Sequence, residues 1–554
     1  MYIIYILCTI QKNARSLPNK PPGQVPSLPG AGAQPLAWSP RKLLGFFIRL
    51  LPRRPLWKLP SLQKDNFYER LFTPIVTLWH LIFQRLAFDH TLEGVVTEAQ
   101  AGGADSLCRR WSQKLRSTAT VSYSNARQRL PGGFLMEALA LHARRILDWN
   151  PKALWRGLVV SLLDGSTVRM RPDGDIPRKF PPHRKQAKSP ADWCWLRVVV
   201  CFCAQTGTAL DAALGDLCHS EQVLACQIIL RLGRRACLFI GDRNFGAFRI
   251  VQRARAVGAH VLLRLTETRA RQLLGRSLTL GQHPVRWRST RHDQIQPGCS
   301  TDPVEGQWLV VRIKRKGFRT LSLYLFTTLP QTAESPLEEL INLYGWRWHI
   351  ELNLRSLKTP MRWVQLECKS ADMAQKEWWA GLMAYNLIRA AMLCAALHKG
   401  LGPLTRSFSM SRRHLQNWLA QFGQAGGASV PSWVKMLRLI SRALLPRRKK
   451  SRPSEPRAQR PLRQPYPPLV GSRQKARQQL KKCQKCTGKS EWHWASSPAS
   501  SRGVPLRVAS NGEMPSKLAA GTAALRCQIE NCCGLLWTAE SWPLKTIQNP
   551  NLEN

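Results

Sequence analysis

Acidic residues are scarce in this chain. Its 554 residues include 83 lysines and arginines but only 33 aspartates and glutamates, a formal net charge of +50. Such an imbalance argues for a polyanionic partner, nucleic acid first and an anionic membrane surface second. It also makes each carboxylate on an apolar element more informative than usual. Long apolar runs are missing as well. No stretch of about 18 uncharged apolar residues is present, and the nearest candidate, Trp378–Leu397, contains Asn386 and Arg389 and reads as a buried helix. The opening MYIIYILCTI has neither a preceding basic region nor a cleavage site, so no signal peptide is expected and a cytoplasmic location is the default. Sixteen cysteines in so long a chain do not form a disulfide scaffold; Cys201, Cys203 and Cys237 lie in apolar runs and read as reduced core thiols. The C-x-x-C at Cys483 and Cys486, with His493, Cys527, Cys532 and Cys533 beyond it, lacks the second regularly spaced pair that a zinc site needs.

Hydrophobic residues make up 44% of the chain, enough for a sizeable core and two to four domains. Residues 1–60 are basic and Pro-rich and are expected to be loosely ordered, apart from a short packed helix near Lys42–Leu51. Residues 61–150 show helical periodicity. Within them VSYSNARQRLP offers Ser122, Ser124, Asn125, Arg127 and Arg129 to a DNA backbone. From 151 to 268 short apolar runs alternate with helical ones. GLVVSLLDG, two strands in WLRVVVCFCAQTGTALDAALG, ACLFIGDRNFG and HVLLRLTE predict a five-stranded mixed sheet with helices on its faces. Residues 269–330 carry strands without helices, a β-rich insertion whose Arg312, Lys314, Arg315 and Lys316 suit either DNA or a charge-protected edge. Helices resume over 331–400 and 401–480, the latter closing in a basic arm, and 481–554 form a tail without trustworthy periodicity.

The stretch Ser335–Lys358 organises the rest. Ser335 as N-cap, Pro336 at the first helical position and Glu338 three residues after the cap predict a helix start, and Pro360 a stop. At about 100° per residue, Leu343, Trp346, Ile350, Leu354 and Leu357 form one apolar stripe. Tyr344, Arg347, Glu351 and Lys358 fall within an arc of roughly 60° beside it. A solvated face with a routine Arg347–Glu351 pair accounts for the spacing. The residue set points further: the carboxylate suits a divalent metal, and the cations and phenol suit phosphate oxygens beside it.

Two more acids, Asp164 and Asp242, each close an apolar strand, where open α/β sheets place their sites. Either one is explained by an ordinary turn. Together with Glu351 they make a three-carboxylate cage for hard cations.

In this arrangement the chain resembles the DDE insertion-sequence transposases, in the branch whose third acid lies in a YREK signature. That signature reads here as Tyr344, Arg347, Glu351 and Lys358; the second-acid motif resembles Gly241-Asp242-Arg243-Asn244-Phe245 and the first Leu163-Asp164-Gly165-Ser166. Ser122–Pro131 and Ala384–Arg389 are also similar, and the resemblance spans roughly residues 64–480. It implies an RNase H-like mixed sheet with flanking helices, interrupted by the β-rich insertion before the last catalytic helix and preceded by a helical DNA-binding domain. It further implies two Mg²⁺ ions, for which Mn²⁺ can substitute, about 3.5–4 Å apart on Asp164, Asp242 and Glu351. Tyr344, Arg347 and Lys358 would hold DNA phosphates, and one of Trp287, Trp308, Trp346 and Trp348 a flipped base. The implied activity is cut-and-paste transposition by a homodimer on DNA, with no membrane or small-molecule partner. A non-catalytic basic nucleic-acid-binding protein and a structure-selective nuclease are the alternatives.

Overall fold

The computed structural model describes residues 43–445, apart from 64–70, 106, 108–110, 151–153, 183–192, 234, 275–278, 296–299, 316–317, 331–335, 398–401 and 425–432, and beyond these only Gln474 and Gln478. The described residues from 43 to 445 belong to the first of two compact units. The basic arm, the C-x-x-C pair and the expected N-cap Ser335 lie outside the described residues, as do the side chains of Lys314, Arg315 and Lys316.

The first unit is built on a single sheet ordered β3-β2-β1-β4-β5-β8-β7-β6, with β9 pairing β1. Its strands are β1 (Val159–Met170), β2 (Cys194–Cys203), β3 (Ala209–Gly215), β4 (Cys237–Gly241), β5 (His260–Arg264), β6 (Gly281–Trp287), β7 (Val304–Arg315), β8 (Phe318–Thr327) and β9 (Gln365–Leu366). β2 and β3 run antiparallel to their neighbours, whereas β4 and β5 follow β1 in parallel. This is the mixed, RNase H-like sheet expected. Alternation along each strand separates two cores. Val160, Leu162, Ile240 and Leu262 face one cluster, and Leu163, Phe239, Val261 and Leu263 the other.

One expectation changes here. β1 does not end at Asp164-Gly165: it runs on to Met170, because β2 supplies partners as far as Cys194. The β-rich segment stands before the last catalytic helix as expected, and its β8 pairs antiparallel with β5, so it extends the same sheet.

Helices of two turns or more cover both faces: α1 (Leu43–Leu50), α2 (Pro74–Leu86), α3 (Leu92–Gln100), α4 (Val121–Arg129), α5 (Gly132–Asp148), α6 (Glu221–Leu232), α7 (Phe248–Ala256), α8 (Glu267–Leu274), α9 (Leu337–Gly345), α10 (Trp348–Lys358), α11 (Ala371–Leu397), α12 (Phe408–Gln424) and α13 (Trp433–Arg442). α1 buries Phe46, Phe47 and Leu50, so order begins earlier than residue 61. α11 has the length and apolarity of a membrane span, but 94% of its apolar 18-residue window is buried within the protein. It is the central helix, packed against α2, α5 and α13, with its polar Asn386 and Arg389 hydrogen-bonded to neighbours.

In α4, Arg127 is turned inward. It donates to Gln84 on α2 and pairs with Glu377 on α11, so it ties helices together, while Ser122, Asn125 and Arg129 stay exposed.

Candidate active site

The sheet sets two aspartates level. β1 and β4 stay in parallel register from Val159 opposite Cys237 to Leu162 opposite Ile240. Two residues on along each strand come Asp164 and Asp242. Asp164 is still within β1, opposite Val200 of β2, and its Oδ1 accepts the Gly165 N–H at 2.8 Å. Asp242 is the first residue past β4, and its Oδ1 accepts the Asn244 N–H at 2.8 Å, which turns the chain. Burial above all pushes the Asp164 carboxyl up to about 7; the Gly165 hydrogen bond and Arg347 oppose the rise, and Asp242 and Glu221 add to it.

Glu221, the first residue of α6, belongs to this neighbourhood although its sequence context does not mark it. Its carboxylate lies over Gly165, where a Cβ would stand 2.1 Å from the carboxyl carbon. Its Oε2 accepts Asn244 Nδ2 at 2.5 Å. Glu221 therefore bridges the main chain beside Asp164 to the turn that carries Asp242.

The Ser335–Lys358 stretch is two helices rather than one. Pro336 is the extended N-cap residue of α9 rather than its first helical residue. Trp346, Arg347, His349 and Ile350 donate to Leu343, Tyr344, Trp346 and Arg347, each three residues back, so the chain tightens between α9 and α10. A tighter turn rotates the faces of the helix before it relative to those of the helix after it. Tyr344 is consequently fully buried, its hydroxyl without a hydrogen-bond partner, while Arg347, Glu351 and Lys358 stay on the half-buried face. Leu343, Ile350, Leu354 and Leu357 of the apolar stripe are buried and Trp346 packs against the same core.

Glu351 is not turned to the aspartates. Its Oε1 accepts Arg347 Nη2 at 2.6 Å, and the same guanidinium acts on Asp164. Among the described residues no three acid, histidine or cysteine side chains converge closely enough to hold one ion. The three-acid cage is thus open, for a local reason: a neighbour one turn away satisfies the carboxylate first. The donors still fit a hard divalent cation. All are carboxylate oxygens, and a cation between Asp164 and Asp242 would relieve the mutual repulsion that helps hold the Asp164 proton.

Arg243, Arg347 and Asp242 all act electrostatically on Arg264. Burial lowers the pKa of Arg264, at the end of β5; Tyr344 and Asp242 oppose that fall, and Arg243 and Arg347 deepen it. Arg264 Nε has no hydrogen-bond partner. Arg264 was missed in the sequence, yet it ends the apolar run VLLR as Asp164 and Asp242 follow theirs. Of the aromatic candidates, Trp287 and Trp308 are core residues, whereas Trp346 and Trp348 are half-buried.

Asp164 within β1 and Asp242 just past β4 thus stand level in an RNase H-like sheet, with arginines near them. Residues 155–387 match the family described as "Transposase DDE domain". The chain is similar to the transposase InsG for insertion sequence element IS4 of Escherichia coli (strain K12), with 26% identity over 317 residues, 56% of this chain and 70% of the relative.

Proposed function

We propose that this protein is a DNA transposase that cleaves the ends of a mobile element and joins them to target DNA. The observation that carries the reading is the register that sets Asp164 level with Asp242, with Arg243, Arg264 and Arg347 beside them. Asp164, Asp242 and Glu351 would hold Mg²⁺, two ions in the full site, with Mn²⁺ as substitute. When bound, the ions supply Lewis-acid stabilisation of charge on the attacking and leaving oxygens.

The protein's own groups do the rest. Arg347 and Arg264 bind phosphate oxygens; Tyr344, expected to share that role, is fully buried and does not reach one here. Lys358, seven residues or about 10 Å along α10 from Glu351, reaches a neighbouring phosphate. When a phosphate takes the Arg347 guanidinium, Glu351 is released toward the aspartates, so DNA binding completes the acid set. The YREK assignment, a homodimer on DNA and a cytoplasmic location belong to the same reading.

The test is cleavage and strand transfer on DNA carrying the element's inverted ends, with Mg²⁺ present. Asp164→Asn, Asp242→Asn and Glu351→Gln should each abolish both while leaving DNA binding intact. The Arg347–Glu351 pair favours the competing reading, a non-catalytic basic DNA-binding protein. Absence of metal-dependent cleavage in the unaltered protein would support it, and cutting without joining would indicate a nuclease.

A further inference from the structure

We propose that Arg389 is a positioning residue: it fixes the rotation of α10 about its axis, and with it the direction in which Glu351 points. The proposal rests on reading Glu351 as a ligand of the divalent ion.

The tightened turn between α9 and α10 means that α10 does not inherit its rotation from α9. Something else must set it. Residues 349 and 353 lie four apart on one side of α10, and Glu351, about 200° round from His349, points the opposite way. Both residues on that far side are tied. His349 Nδ1 lies 3.2 Å from the Ala204 carbonyl oxygen. Asn353 Oδ1 accepts Arg389 Nη2 at 2.7 Å, and Asn353 Nδ2 has no partner, so Arg389 is what holds that amide.

Arg389 in turn is fastened on several sides. Its Nε donates to the Tyr385 hydroxyl at 2.7 Å, which donates to the Gly207 carbonyl oxygen at 2.8 Å. Its guanidinium lies over the rings of Tyr385 and Phe408 at 5.1 and 5.0 Å. Gly207 has φ +71°, and a Cβ there would come within 3.0 Å of the guanidinium carbon. Asn386 completes the hold on the β2–β3 hairpin by accepting the Ala209 N–H and donating to the Ala209 carbonyl oxygen, both at 2.8 Å. One cation therefore keys α10, α11 and the β2–β3 turn together.

That cation is only 4% exposed, and among the described residues no carboxylate pairs with it. A buried charge with neutral partners costs stability that an apolar side chain would not. What arginine adds is a planar fork with fixed donor directions, which orients rather than merely fills.

The experiment measures Mn²⁺ affinity of the full chain bound to DNA that carries the element's inverted ends, the state in which Arg347 has released Glu351, by electron paramagnetic resonance, with thermal melting alongside, for Arg389→Met, Arg389→Lys and Glu351→Gln. Arg389→Met should lower Mn²⁺ affinity about tenfold, as loss of outer-shell partners does, matching Glu351→Gln while keeping its melting temperature. Lysine should restore part of the affinity, and the Met/Gln double variant should lose no more than either single one. If Arg389→Met fails to fold, Asn353→Leu cuts the same link from α10 and should show the same loss. Wild-type Mn²⁺ affinity in Arg389→Met, with Glu351→Gln weakened, would overturn the proposal alone. Unchanged affinity in Glu351→Gln would overturn the ligand reading and this proposal with it.

Discussion

Arg347 donates through Nη2 to Glu351 Oε1 at 2.6 Å, and the same guanidinium acts on Asp164. The two partners are 12% and 33% exposed, so the pair sits at the mouth of the site rather than in free solvent. One arginine thus restrains the third acid and tempers the charge of the first.

Replacing Arg347 should therefore separate two effects. Arg347→Gln frees Glu351, so Mn²⁺ affinity without DNA should rise. DNA affinity should fall, with the salt slope smaller by about one unit if a phosphate contact is lost. Calorimetry and a salt titration measure the two, and movement of both in the same direction would break the account.

Asp164 gives a pH signature. Its folded pKa of about 7 stands above the ordinary 3.8, so between those values the folded chain binds more protons than the unfolded one. Its contribution to stability therefore falls as pH rises from about 4 to about 7 and levels off above. Asp164→Asn removes this cost, at most on the order of 4 kcal/mol. The variant should out-melt the parent at pH 8 and match it near pH 4, and added Mg²⁺ should narrow the gap at pH 8 by stabilising the parent.

Gly165 and Glu221 are coupled by space. A methyl at Gly165 meets the movable end of Glu221 rather than backbone, so Gly165→Ala should cost about 1 kcal/mol or less in stability while dislodging Glu221 from Asn244. Cleavage should slow in Gly165→Ala and in Glu221→Ala. The double variant should be no slower than Glu221→Ala, and additive losses would show that the two act separately.

Arg264 is held among like charges. Arg264→Met should weaken DNA binding without lowering the melting temperature, because burial and the neighbouring Arg243 and Arg347 already disfavour its charge. A marked drop in melting temperature would make it a structural residue.

Much of this architecture was visible in the residues themselves. Apolar runs located all five strands of the first half, and helical spacing found the stripe from Leu343 to Leu357. Three features were not, each for a physical reason. Asp164-Gly165 carries a turn signal, but a long partner strand keeps it extended. The strands after residue 269 read as an isolated group because their partner, β5, is distant in sequence. The single helix expected from Pro336 to Lys358 breaks at Gly345–Arg347, a shift from four-residue to three-residue hydrogen bonds that periodicity does not reveal. Even the Arg347–Glu351 pair was legible as a spacing; which partner the acid prefers depends on what stands opposite.

The most direct test exchanges oxygen for sulfur at the level pair. In Asp242→Cys, cleavage with Mg²⁺ should disappear and return with Mn²⁺ or Cd²⁺, ions that accept a thiolate, while DNA binding persists throughout. Cleavage that continues undiminished with Mg²⁺ in that variant would contradict the claim that Asp242 holds the metal.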